Sequence, residues 1–479
     1  MSLIPSPSAD LDALRARIHH DLACLSYPDK PWVRPSAAAA GVLNCAIVGG
    51  GQFGQSVAFG LQRERVDGVV MFDANPAGLA GPWLTFARMS MLRTPKHLTG
   101  PDLGVGSLTF RAFYEAQHGA EGWERLFRIQ RPDWQAYLNW HRDVTGLDVR
   151  PAHAVTAILP RADGLFELQV QHEGRTRPTL ARTVVLATGA EGSGARVVPP
   201  LFRELPPGLY AHTNDAIDFA ALAGKRIGIL GAGASSFDNA AAALEAGAQA
   251  AELCFRRPSL PLSNPRRWME FAGFLAHYPE LPDLQRWRYM KRLLDIGQPP
   301  PEPTFRRAVE MAGFSLRPAT PWLAMRPHGD GVQVDTPDGP LHYDFVMAGT
   351  GIVVDLALRP ELAEVAPHVA LWGDRFDPPE SEADARLARF PYLDARGGFM
   401  ERAPGTAPWA GRLFANFRGS TLSLGPSAAS NSNIRYTAPR IISGVTRQLF
   451  LDDADAVFQE FIGQGHHELA PEAVQRAGA

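Results

Sequence analysis

Two glycine clusters in this sequence have residue types and spacing that could do chemistry, and both suit the same ligand. Gly49, Gly51 and Gly54 stand in a G-x-G-x-x-G spacing after an apolar run, and Asp73 closes the next apolar run roughly 20 residues later. One glycine turns the chain, one lets the main chain approach a diphosphate, and one packs a helix on a strand. The helix start then offers unpaired N–H donors and the positive end of a dipole. A carboxylate at Asp73 can bond ribose hydroxyls, so the segment predicts strand, turn, helix, strand and a site for an adenine dinucleotide.

Gly231, Gly233, Ser235 and Ser236 repeat the pattern and open an Ala-rich helix running to Gly247. Ser236 replaces the third glycine with a residue still small enough for helix–strand packing. The strand after this helix ends in Arg256 and Arg257 instead of a carboxylate. A guanidinium there can clasp a 2′-phosphate that a carboxylate would repel, which favours NADPH and leaves NADH open. Two more apolar runs end in glycine, at Thr188 and Gly189 and at Gly349 and Gly351. They read as strands where the chain passes between lobes, and those four residues join the expected cofactor contacts.

The elements that must position these residues define an α/β protein with two Rossmann-like dinucleotide-binding domains, each three-layered, the nicotinamide domain inserted in the FAD domain. The expected division is an N-terminal helix and linker at 1–41, an FAD-binding part at 42–204, an NAD(P)H-binding domain at 205–345, and the rest of the FAD domain with a C-terminal helix at 346–479. FAD goes to the first copy by the convention of two-dinucleotide flavoproteins. Residues 8 to 27 carry Leu11, Leu14, Ile18, Leu22 and Leu25 at helical spacing and predict a docking helix. Residues 28–40 read as a linker, and residues 299–303 and 335–339 as loops.

Composition narrows the function. A chain of 479 residues is long enough for two lobes, and 45% hydrophobic with 20% charged residues is globular. A net charge of -3 lacks the basic excess of a nucleic-acid binder. Cys24, Cys45 and Cys254 are too dispersed for a redox dithiol or a metal site. Asp10, Asp12, Arg15 and Arg17 stand where a signal peptide would be apolar, and no 18-residue apolar span occurs, so a cytoplasmic protein off the membrane is expected. Two dinucleotides imply hydride transfer from nicotinamide to flavin. With no CxxC pair to take the electrons, oxygen is the remaining common acceptor.

The first fingerprint, Gly81-Pro82-Trp83, Ala187-Thr188-Gly189, Ala211-His212-Thr213 and residues 344–351 together resemble the class B flavin-dependent monooxygenases, over roughly residues 43 to 450. Two subgroup marks are absent. Ala216 stands where Baeyer–Villiger enzymes carry an aromatic four residues after the histidine, and Ala348-Gly349-Thr350-Gly351-Ile352 stands where N-hydroxylating enzymes usually show ATG-Tyr. Gly81-Pro82-Trp83 and residues 92–104 and 233–240 are most similar to the bacterial FAD-dependent urate hydroxylases, with flavoproteins that N-oxygenate aspartate as neighbours.

The resemblance implies that NAD(P)H reduces FAD, that the reduced flavin takes up O2, and that urate leaves as 5-hydroxyisourate. Urate is an anion at neutral pH, so its pocket should present cations. Arg93, Lys96 and His97 lie in the loop expected beside the flavin, and Trp83 is placed against the isoalloxazine. A basic surface loop and a packing Trp are the plainer readings of the same residues. His212 reads as a hinge residue between lobes. Asn431, Asn433 and Arg435 precede a helix expected at 439–450, whose start could face the flavin pyrimidine or cover a lobe edge. An amino-acid N-oxygenase and a redox sensor without turnover are the competing functions.

Overall fold

Alternation of apolar residues builds the first sheet. The computed structural model describes residues 7–25, 30–36, 39–97, 100–426, 428–465, 468–469 and 471–477. In it α1 spans Pro7–Leu25, β1 Leu43–Val48, α2 Gln52–Arg63 and β2 Val69–Phe72. Tyr27 of the expected docking helix lies outside the described residues. Ile18 of α1 is fully buried against Phe59 and Leu108, whereas Leu25 at its end is exposed.

β2 pairs in parallel with β1 and with β3 (Val149–Arg150). β4 (Ala154–Pro160), β5 (Phe166–His172) and β6 (Arg175–Gly189) form an antiparallel meander. β6 has 15 residues and serves two partners, its first half antiparallel to β5 and its second half parallel to β1. Cys45, Ile47 and Met71 face α2 and the helix Ile434–Asp452, while Ala46, Val48 and Phe72 face Ile158, Phe166 and Leu168 of the meander. The layers are therefore helix, sheet and meander, as period-2 burial of both strand faces requires.

The chain then leaves this sheet. After β7 (Gly194–Arg196) come β8 (Tyr210–His212), β9 (Arg226–Leu230), β10 (Ala250–Cys254) and β11 (Phe314–Arg317). A second meander follows, β12 (Ala324–His328), β13 (Gly331–Thr336) and β14 (Gly339–Tyr343), and then β15 (Phe345–Ala348). A parallel sheet of order β11-β10-β9-β15-β8 results. Between β9 and β10 lies the helix Ala234–Glu245; with helices α3 (Phe110–Arg125) and α4 (Arg131–Thr145) named first, it is α5. Phe237, Ala240, Ala241 and Leu244 of α5 cover one face, and Trp322, just before β12, with Met325, Val332 and Val334 of the second meander cover the other. The second lobe repeats the three layers of the first. β16 (Ile352–Val354) pairs with β7, and β17 (Leu413–Phe417) returns to the first sheet beside β6. Residues 210–348 of the second sheet thus lie between two strands of the first.

Three expectations shift. β15 pairs in parallel with β9, so a boundary at 345 falls within a strand of the second sheet. The loop expected at 299–303 ends at Pro301, where a helix Glu302–Val309 begins. The last long helix begins at Ile434, not at Pro439. Pro439 sits so near its start that the ring's missing N–H costs one early hydrogen bond and leaves the helix whole. Among the described residues no helix is long and apolar enough to cross a membrane, and no cluster of metal-ligating side chains occurs.

His141 of α4 is fully buried, with Nδ1 3.3 Å from Gln55 Oε1 on α2 and Nε2 without a partner among the described residues. Burial brings its pKa from 6.5 down to about 3. The unfolded chain therefore binds this proton and the folded chain does not, so the contribution is present above the unfolded value and is lost as pH falls toward the folded one. Each pH unit in that window should cost roughly 1.4 kcal/mol from this residue. Urea unfolding of His141→Gln between neutral and mildly acid pH should show an acid limb shallower by about one proton; an unchanged limb overturns this account.

Gly54 carries a second expectation. A Cβ there would fall 2.0 Å from Gly49 O, which is main chain and cannot step aside. Gly54→Ala should destabilise by about 1–3 kcal/mol and lower the flavin retained on purification. A variant with native thermal stability and full flavin content contradicts it.

Candidate active site at the carboxyl ends of two sheets

Both glycine turns open at the carboxyl ends of parallel strands. Gly49 has φ +108, and a Cβ on it would lie 2.4 Å from Ala187 O at the end of β6. Only glycine lets β1 and β6 close at this point. Gly51 stands at the start of α2 with no side chain to cap the first-turn N–H groups. Asp73 is buried; one carboxylate oxygen accepts from Gly50 N–H and the other from Asn75 N–H, both at 2.8 Å. Its remaining lone pairs are free for ribose hydroxyls.

Around this turn several buried polar groups have no protein partner. Gly81, at φ +84, brings its Cα to 3.7 Å from a Cβ placed on Gly51, so the Gly81-Pro82-Trp83 turn backs onto the start of α2. Trp83 packs edge-on against Trp134, with ring centroids 6.3 Å apart. Its Nε1 and Thr188 Oγ1 are buried without hydrogen-bond partners. Such groups are costly to leave unsatisfied, and a bound molecule with phosphate and ring oxygens would satisfy them. The residues present fit a dinucleotide at this turn.

The second turn matches the first. Gly231 has φ +120, and a Cβ on it would lie 2.3 Å from Gly349 O. Gly233 starts α5 uncapped, and a Cβ there would meet nothing within 4 Å, so the space where a diphosphate approaches is open. Ser236 is fully buried with an unpartnered Oγ lying against Gly349, and Ser235 is half-buried in the first turn. The two arginines after β10 diverge. Arg257 donates to Ile296 O at 2.7 Å and Asp295 O at 3.3 Å, capping the helix Asp283–Ile296. Arg256 is exposed and makes no hydrogen bond or ion pair among the described residues, so it alone is free for a phosphate.

The loop cations do not converge. Arg93 bonds Asp238 Oδ2 on α5 at 2.7 Å, an ion pair from one lobe to the other. Asp238 is 3% exposed in its side chain, and burial pushes its carboxyl up while Arg93 and Arg307 draw it down. Lys96 gives its ammonium to Trp123 O at 2.6 Å and lies over the Trp123 ring at 4.7 Å. A helix-end carbonyl and an aromatic face thus hold the Lys96 charge. His97 is exposed, at the edge of the described part of its loop. Gly189 (φ +71), at the end of β6, and Gly351 (φ +82), between β15 and β16, take conformations that favour glycine. His212 is buried, accepts Asn214 N–H at Nδ1, and so carries its proton on Nε2, 3.1 Å from Gly351 O. Burial lowers its pKa, leaving a neutral tether between β8 and the chain after β15.

A group not found in the sequence lies beyond β17. Phe417 pairs with Gly189, so Arg418 projects just past the carboxyl ends of β17 and β6. Arg418 is solvent-accessible although protein surrounds it, and burial lowers its pKa. Arg266, on the short helix Pro265–Trp268, lies within electrostatic reach; burial, with Arg418 beside it, brings it down to about 10. Asn416, Asn431 and Asn433 each bury an Oδ1 with no partner nearby, and Arg435 is exposed over the Tyr436 ring. Arginine adjacent to arginine is the only trace of this group in the sequence, and Arg256-Arg257 has the same look.

The family described as L-lysine 6-monooxygenase/L-ornithine 5-monooxygenase matches residues 123–265, and an FAD-NAD(P)-binding family matches residues 46–191. The chain is 44% identical over 462 residues, 96% of its length and 97% of the relative's, to an FAD-dependent urate hydroxylase of Xanthomonas campestris pv. campestris. Among solved structures, the reduced ornithine hydroxylase of Pseudomonas aeruginosa has a TM-score of 0.68 at 16% identity, covering 85% of this chain and 100% of that one. The L-lysine 6-monooxygenase of Pseudomonas syringae has a TM-score of 0.62 at 17% identity, covering 85% and 99%. The latter two share the fold. The chain belongs to the family of FAD- and NAD(P)H-dependent flavoprotein monooxygenases that includes the bacterial FAD-dependent urate hydroxylase.

Proposed function

We propose that this monooxygenase hydroxylates urate to 5-hydroxyisourate, taking electrons from NAD(P)H and oxygen from O2. The observation that carries the substrate is the 44% identity across nearly the whole chain to a urate hydroxylase. A second reading, hydroxylation of an amino group, is favoured by the lysine and ornithine monooxygenase match over 123–265.

Bound FAD supplies a carrier that accepts hydride from the nicotinamide and delivers electrons to oxygen. The chain's own groups bind and orient. The uncapped start of α2 at Gly51, with Gly49 and Gly54, receives the FAD diphosphate, and Asp73 takes its ribose. The start of α5 at Gly233, with Gly231, Ser235 and Ser236, receives the nicotinamide diphosphate, and Arg256 its 2′-phosphate. Thr188 and Gly189 border the first site, Gly349 and Gly351 the second. Trp83 offers a buried indole N–H beside the first, and the Arg93–Asp238 pair holds the two lobes in register. In this assignment FAD is held by 42–204 and by the chain beyond 348, NAD(P)H by 205–348, and residues 1–41 form the N-terminal helix and linker.

Oxygen uptake, hydrogen peroxide and urate should be followed together on FAD-loaded protein with NADPH. Urate consumption matched to oxygen uptake, with little peroxide, is expected. Oxygen uptake that couples to an amino acid and ignores urate removes the urate reading. Separately, Arg256→Ala should raise KM for NADPH about ten- to hundred-fold and leave NADH little changed, the loss of a charge-assisted contact. Arg257→Ala should instead lower thermal stability and treat both nucleotides alike; equal effects of Arg256→Ala on both would remove the phosphate assignment.

A further inference from the structure

We propose that Arg418 and Arg266 form the anion-recognising end of the substrate cleft, built to take a small planar or carboxylate anion through paired guanidinium contacts. The inference rests on the reading of this chain as a monooxygenase acting on an anionic substrate.

Charge balance carries it. Arg266, Arg267, Arg128 and Arg418 come from three separate stretches of chain and lie within electrostatic reach of one another in sequence: Arg418 by Arg266, Arg267 by Arg128. Among the described residues Glu270 is the one carboxylate acting on Arg266 and Arg128, and its Oε1 already accepts from Ser432 Oγ at 2.6 Å. Like charges gathered in a partly desolvated place raise the energy of the fold unless an anion joins them. Elsewhere such guanidinium groups meet a carboxylate or a main-chain carbonyl: Arg182 is buried against Asp452 and Asp453, and Arg131 gives Nη1 to Trp83 O.

Geometry fits a ligand. The Arg418 guanidinium makes no hydrogen bond or ion pair among the described residues, so its whole donor fork is available. Arg266 is fixed in place, with Nε donating to Gln298 Oε1 at 3.0 Å and Nη1 to Pro426 O. That second bond ties the helix Pro265–Trp268 to the loop leading toward Asn431. Arg418 itself is anchored through its main chain, which accepts from Thr421 Oγ1 at 2.8 Å. The site therefore pairs a held guanidinium with a free one, at the carboxyl end of β17 where open α/β sheets bind ligands. Arg418 is exposed to solvent at this strand end, where an incoming anion can meet it.

Equilibrium binding to oxidised, FAD-loaded protein without NADPH tests the proposal, with urate and aspartate as separate probes followed by calorimetry and by the flavin absorbance. Arg418→Gln and Arg266→Gln should each weaken binding of the preferred anion about ten- to hundred-fold, with Arg418→Lys between them and wild type. Binding of that anion by Arg418→Gln within about two-fold of wild type overturns the proposal. If Arg418→Gln fails to load flavin, Arg418→Lys and Arg266→Gln carry the comparison, and native affinity in both overturns it equally. The two readings separate cleanly. Arg418-dependent binding of aspartate with no binding of urate upholds the anion site and removes urate; urate binding untouched by either substitution upholds urate and removes the anion site. A wild type that binds neither anion removes the proposal.

Discussion

The main-chain oxygens of Ala187 and Gly349 occupy the space where side chains at Gly49 and Gly231 would begin, 2.4 and 2.3 Å from the Cβ positions. Everything at the two candidate cofactor sites follows from this close approach. It brings the end of one strand against the turn leaving its neighbour, so that the helix start points its free N–H groups outward between them. A methyl group at either glycine would push the strands apart and turn the helix away. The same contact, made in both sheets, explains why a short run ending in glycine recurs after each fingerprint.

What joins the sheets is electrostatic and finely placed. Asp238 is buried on α5 and is met by Arg93 from the first lobe and, at 3.7 Å, by Arg307. A carboxylate so placed is costly without its partners, so the pair fixes how the helix under the second turn sits on the loop after the first. Arg307 adds a hydrogen bond to Arg88 O at 2.7 Å and an ion pair with Glu245, drawing the same surfaces together. His212 acts at the other joint as a neutral donor, its ring fixed at both nitrogens. Hydride transfer needs two bound rings held in register, and these contacts supply the register.

Three half-buried arginines lie where the lobes meet. Arg88, Arg128 and Arg131 are each lowered in pKa by burial, and each bonds main-chain carbonyls in place of carboxylates. Carbonyl partners hold a guanidinium without cancelling its charge. An anionic substrate and a phosphorylated cofactor both gain from such charge.

Period-2 burial, glycine spacing and the acidic or basic end of each second strand are local properties, and the sequence alone determined them: two strand–turn–helix units, their diphosphate cradles, and the insertion of one sheet between strands of the other. Gly54 was legible because the oxygen it packs against, Gly49 O, belongs to the same turn, whereas the oxygens that Gly49 and Gly231 close upon, Ala187 O and Gly349 O, come from distant strands and only the glycine spacing marked those two positions. Pairing between distant stretches was not legible. Nothing near Lys96 in the chain announces that Trp123 O will take its ammonium, nothing distinguishes Arg256 from Arg257 until Arg257 donates to Ile296 O, and Arg93 meets Asp238 across 145 positions. Arg418 and Arg266 come together only because β17 returns to the first sheet after the second is complete. Side-chain charge acts through space, and tertiary structure alone decides which charges share it.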